Sequence, residues 1–191
     1  MGSLPPLTQR GWSLAGLIRR HATERGQRPM LTYGDRVMTY AEMHARSSLV
    51  ARALAAEGVR SQDHVGFIDK NGPEYFEVLF GGGKLNAINI AVNWRLTPAE
   101  MAYIVNDAEI GVLVVGSDFT SHLNEIASLR AIRKIVVIGE HPGYESYERW
   151  IGRQRAEDRW CCRAPGQSRH RFGSRGRRCS PLHRAYPCTG Y

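Results

Sequence analysis

At 191 residues, 42% of them hydrophobic and 23% charged, the chain is long enough for one domain with a real core and has the ordinary composition of a soluble protein. No apolar run approaches the length of a membrane span. The start, MGSLPPLTQRGW, has no charged region leading into an apolar one, which argues against a secretory signal, and Pro6 argues against myristoylation at Gly2. The formal net charge of +8 is unevenly placed. From Arg159 onward there are eight arginines and no Asp, Glu or Lys, which leaves 18 basic residues against 18 acidic ones in 1–158. All four cysteines (Cys161, Cys162, Cys179, Cys188) lie in the same basic stretch, and the cysteine-free body suits a reducing cytoplasm.

In chain order, Ser13 is placed to cap a helix carrying Leu14, Leu17, Ile18 and His21 on one face and ending near Gly26. Met30–Tyr33 and Arg36–Met38, separated by Gly34-Asp35, predict a β-hairpin. Thr39 and Glu42 form a capping box for a long helix with Met43, Leu49, Val50, Ala53 and Leu54 on one broad face, stopped by Gly58. His64–Ile68 reads as a strand. Asn71-Gly72-Pro73 opens a helix with Tyr75, Phe76, Leu79 and Phe80. Ala87–Val92 is strand-like. Thr97-Pro98-Ala99-Glu100 is a second capping box, opening a helix with Met101, Ile104 and Val105. Gly111–Val115 is an apolar run, followed by a helix around His122–Leu129. Lys134–Ile138 is a further apolar run. Apolar strands alternating with amphipathic helices predict an α/β fold with a partly parallel sheet flanked by helices on both faces.

The pattern stops near Arg159, which divides the chain into a body, 1–158, and a tail, 159–191. The tail holds one Leu (Leu182) and no Ile, Val or Met, so it is expected to be disordered. Its Cys and His residues show neither a C-x2-C nor an H-x3-5-H pair, and no metal site is expected. Its arginines could meet phosphates non-specifically, but no basic stripe with regular aromatics supports specific nucleic-acid recognition. Gly81-Gly82-Gly83-Lys84 invites a phosphate-loop reading. It fails because the glycines follow a helix instead of preceding one, and no Ser or Thr follows Lys84. Close helix packing or a helix end is the expected role, and Asn86 just beyond is suited to a positive φ.

The stretch from Leu31 to Met43 (LTYGDRVMTYAEM) resembles the opening of AMP-forming acyl-CoA synthetases. The resemblance continues through Ala53-Leu54, Gly58-Val59, Asp63-His64-Val65 and Asn71-Gly72-Pro73-Glu74. It is most specific at Asn93-Trp94-Arg95-Leu96-Thr97-Pro98-Ala99-Glu100. The closest flavour is a bacterial fatty-acid-CoA ligase, and the resemblance implies the N-terminal subdomain of the adenylate-forming synthetase fold. It also implies fatty acid, ATP with magnesium, and CoA as substrates and cofactors of the full-length family; the expected compartment, from the cysteine-free body, is the cytoplasm. Taken on their own, Thr39/Glu42 and Thr97/Glu100 are explained by capping. Tyr33, Phe76 and Trp94 are expected in the core, and Arg95 is expected to pair with a carboxylate or cap carbonyls.

In the resembled family a Ser/Thr/Gly-rich loop ending in Pro-Lys-Gly meets the reacting phosphates, and it should follow soon after residue 158. No such loop occurs in the chain, so no catalytic, cofactor-binding or metal-binding residue is assigned, and no cofactor is expected for this stretch alone. The abrupt change to Arg/Cys-rich sequence has the look of a shifted reading frame. Leu182–Pro187 can, for some codon choices, be encoded by bases that read Thr-Ser-Gly-Leu-Pro in another frame. The expected function is an N-terminal, inactive piece of a fatty-acid-CoA ligase. The alternatives are a non-catalytic binding module, with the tail giving weak peripheral membrane association, and half of a split synthetase. Cutting the chain after Asp158 is expected to leave the thermal melt in reductant unchanged or higher, because the tail has little to bury and its like charges repel. A melt several degrees lower would show that the tail contributes to the fold.

Overall fold

The computed structural model describes residues 13–154. The expected boundary at residues 158 and 159, the tail and its four cysteines lie outside the described residues. Helix α1 (Leu14–Arg25) begins where Ser13 Oγ accepts the Gly16 N–H at 3.0 Å. Strands β1 (Pro29–Tyr33) and β2 (Arg36–Thr39) pair antiparallel with Tyr33 opposite Arg36, and Gly34, at φ +57°, turns the chain between them. Helix α2 (Tyr40–Ala56) is fixed by its capping box. Thr39 N–H donates to the Glu42 carboxylate at 2.7 Å, and Thr39 Oγ1 accepts from Glu42 N–H at 3.2 Å. These hydrogen bonds to the charged form hold the Glu42 carboxyl below its ordinary value.

From here strands and helices alternate: β3 (His64–Ile68), α3 (Pro73–Lys84), β4 (Ile88–Ala91) and α4 (Pro98–Asp107), the last opened by the expected Thr97–Glu100 box. Then come β5 (Val112–Gly116), a 3-10 turn (Ser117–His122), α5 (Leu123–Ile126), β6 (Lys134–Ile138), β7 (Glu145–Ser146) and α6 (Tyr147–Gly152). Five strands form one sheet in the order β4-β3-β5-β6-β7, and every pairing in it is parallel.

A parallel sheet covered on both faces needs apolar side chains at odd and even positions alike, which is why β5 and β6 read as unbroken apolar runs. On one face Val65, Phe67, Val112, Val114 and Val136 pack with Val50 and Leu54 of α2, Val78 of α3, and Tyr147, Trp150 and Ile151 of α6. On the other, Ile68, Leu113, Val115 and Ile135 pack with Met101 and Val105 of α4 and with Phe119, Leu123 and Ile126. A third cluster, Ile18, Met38, Met43 and Phe80, ties α1 and the hairpin to α2 and α3.

Three local expectations change, and one element is added to those expected. The run Gly81-Gly82-Gly83 does not follow a helix; it forms the last turns of α3. The close-packing role holds at Gly81, where an added Cβ would lie 2.6 Å from Val50 Cγ1 and 3.1 Å from the Ser47 carbonyl oxygen. The helix expected around His122–Leu129 is mostly a 3-10 turn with a four-residue α5, because Thr120 bonds back to the Ser117 carbonyl at 3.0 Å and tightens the chain. The short β7–α6 segment has no counterpart in the sequence reading: it is too short to show a period, and Ser146 makes no side-chain cap. What holds it is burial of Tyr147, Trp150 and Ile151, worth about 1.5–3 kcal/mol for each large side chain. Tyr33, expected in the core, is 52% exposed, since β1–β2 is a separate two-stranded hairpin with no layer over that side of its tip. Asn86 does take a positive φ, +57°, and its side-chain amide donates to Ser61 Oγ at 2.8 Å.

One charged side chain is fully buried in the main core. Glu77 of α3 accepts from Arg46 Nε of α2 at 2.5 Å and from the Tyr147 hydroxyl of α6 at 2.9 Å. Arg46 also grips Glu148 with both terminal nitrogens, at 2.6 and 3.2 Å. Burial pushes the Glu77 carboxyl up, against the opposing pull of Arg46 and Tyr147, and burial likewise raises the Tyr147 phenol.

The α2–α3 contact yields a paired test. Gly81→Ala should destabilise the protein by about 1–3 kcal/mol through overpacking against Val50. Gly82→Ala, with open space at its Cβ, should be neutral or stabilising by about 0.5–1 kcal/mol. Denaturant melts of the two variants check this, and equal effects would contradict the packing described.

Candidate functional site

After β3 the chain turns into α3 on one face of the sheet; after the adjacent β5 it turns into the 3-10 turn and α5 on the opposite face. Neighbouring parallel strands whose continuations diverge in this way leave a crevice beyond their carboxyl ends. That crevice exists here, with a volume of about 280 Å³. Asp69, Lys70, Gly72 and Glu74 line it from the β3–α3 connection, Ser117 and Asp118 from the end of β5, Ile138 from β6, and Tyr33 from the hairpin.

Its residues are fixed by their neighbours. Asp69 Oδ1 accepts the Lys70 N–H at 2.7 Å. Its carboxylate packs onto Gly116, where a Cβ would sit 2.3 Å from Asp69 Cγ, so only glycine at the end of β5 admits this placement. Burial pushes the Asp69 carboxyl up, and the charges of Asp118 and Glu74 add to that, while the Lys70 amide and ammonium partly oppose it. Lys70 Nζ pairs with Asp118 at 3.1 Å. Arg36 of β2 pairs with Glu74 at 3.2 Å and so ties the hairpin to the start of α3.

Beside the crevice, cations and aromatic faces alternate. The Arg95 guanidinium lies 3.9 Å from the Trp94 ring centre, Lys70 Nζ lies 5.9 Å from both the Trp94 and Phe119 centres, and those two rings are 5.5 Å apart. Tilted aromatic faces flanked by two cations suit a planar or anionic group. Arg95 therefore departs from expectation: it stacks on Trp94 and has no carboxylate partner among the described residues. Trp94 and Phe76 are partly buried against the core, as expected.

A larger hollow of about 600 Å³ lies by the Glu140–Glu145 loop, but its charges are already matched. Arg149 pairs with Glu140 at 3.2 Å, Lys134 with Glu145 at 2.7 Å, and Arg153 with Glu145. It offers no group to a ligand comparable to those of the crevice. Among the described residues no cluster of His, Cys, Asp or Glu is placed to hold a metal ion, and no helix is long and apolar enough to cross a membrane. Sequence reading assigned none of the crevice residues. The signal available was positional: Asp69-Lys70 and Ser117-Asp118 are the first polar residues after apolar strands, where parallel sheets place ligand sites.

A parallel α/β sheet with a polar crevice at its switch point is the architecture of a ligand-binding enzyme domain. The chain belongs to the AMP-binding enzyme family, whose model matches residues 18–170. It is 31% identical over 120 residues to a fatty acid–[acyl-carrier-protein] ligase of Streptomyces coeruleorubidus, covering 63% of this chain and 23% of that protein. It is 30% identical over 112 residues to a 4-hydroxybutyrate–CoA ligase of Metallosphaera sedula, covering 59% of this chain and 20% of that one. The chain thus spans about a fifth of the length of these curated relatives. Among solved structures, an anthranilate CoA ligase in complex with anthranoyl-AMP superposes with a TM-score of 0.74 at 32% identity, over 80% of this chain and 30% of that one. A Mycobacterium tuberculosis fatty acyl CoA synthetase shares the fold, with a TM-score of 0.69 at 22% identity, over 76% of this chain and 29% of that one.

The crevice generates a pH-dependent expectation. Asp69 is raised above its ordinary 3.8, so its stabilising contribution is complete below that value and is lost as pH rises through the folded value. Asp69→Asn keeps an acceptor for the Lys70 amide and removes the charge. It should melt at or above wild type at neutral pH, with the difference closing on acidification. A variant that melts lower at neutral pH would contradict the assignment.

Proposed function

We propose that this chain is the N-terminal α/β portion of a fatty-acid-CoA ligase, acting with fatty acid, ATP and CoA in the cytoplasm, and that it forms no acyl adenylate by itself. Membership in the AMP-binding family and the relation to a fatty acid ligase support the reaction class. The relatives also include ligases of aromatic acids, so the choice of a fatty acid rests on that one relative and on the motif flavour of residues 31–43 and 93–100.

The inactivity rests on one observation, the absence of the family's phosphate-meeting loop from the sequence. Adenylation builds negative charge on the α-phosphate as the acyl carboxylate attacks and pyrophosphate leaves. Amides, hydroxyls and a Lys must meet that charge. In the crevice Glu74 is paired with Arg36 and Asp118 with Lys70, so both of these cations already have carboxylate partners. The Ser/Thr/Gly-rich loop ending in Pro-Lys-Gly that meets the phosphate charge in the resembled family occurs nowhere in the sequence.

The test is ATP–pyrophosphate exchange on the purified chain with a panel of fatty and aromatic acids. The expected outcome is exchange indistinguishable from a protein-free blank with every acid. Exchange clearly above the blank would overturn the inactivity, and a preference for aromatic acids would overturn the substrate reading as well.

A further inference from the structure

No further inference is drawn: the strongest candidate, the cation–aromatic cluster of Lys70, Trp94, Arg95 and Phe119 beyond the carboxyl ends of β3, β4 and β5, belongs to the crevice site already described.

Discussion

The fold is organised around a carboxylate that has no access to water. Glu77 sits in the middle of α3, and a charge there is tolerated only if donors reach both of its oxygens. Arg46 arrives from α2 and Tyr147 from α6, one at each oxygen. Both donors are held in the forms the pairing needs. Arg46 stays charged, since Glu148 and Glu77 outweigh the effect of its burial, and Tyr147 stays a neutral hydroxyl donor. The mutual placement of α2, α3 and α6 is the one that meets the cost of burying Glu77. Apolar packing supplies most of the stabilisation on that face of the sheet, but apolar contacts are non-directional, and a paired charge fixes the register of the helices that carry it.

That joint bears on the crevice through α3. The same helix that carries Glu77 begins at Pro73 with Glu74 in its first turn, so its N-terminal end is delivered to the carboxyl end of β3. Arg36 reaches Glu74 from the hairpin and stands 3.9 Å from Glu77, which sets Tyr33 at the crevice rim. On the far side, Gly116 leaves room for the Asp69 carboxylate. The outcome is a shaped, acidic, partly aromatic recess. Its geometry is that of a ligand site in a parallel α/β sheet.

Much of this was legible in the sequence because it is local. Capping boxes at Thr39–Glu42 and Thr97–Glu100 need only four residues to declare themselves, and both form as read. Strands buried on two faces announce themselves as apolar runs, so β3, β5 and β6 were found. The misreadings are tertiary. The three glycines were expected just after a helix, yet they lie inside its last turn, with the expected close packing realised at Gly81 against Val50 and Ser47. Tyr33 has the composition of a core residue, but its hairpin has no covering layer at that point. Arg95 found a ring one residue away instead of a carboxylate. The α6 segment is held by burial and by a hydrogen bond to a residue 70 positions earlier, which no local pattern could reveal. The crevice residues were missed for the same reason, since a switch point is a property of strand order.

The claim that Glu77 is the organising charge is tested most directly by the pH dependence of the stability lost in Arg46→Met, which keeps the apolar stem and removes the guanidinium. Glu77 is raised by burial, so its contribution is fullest at low pH and falls as pH rises through its folded value. Without Arg46 that fall should steepen. Denaturant melts should show a loss of about 3 kcal/mol or more at neutral pH, because a buried carboxylate loses its hydrogen-bonded counter-ion and keeps only the more distant Arg36. The loss should shrink as acidification neutralises Glu77 in both proteins. A loss near the roughly 0.2–1 kcal/mol of an exposed ion pair, or one that does not change with pH, would contradict the account.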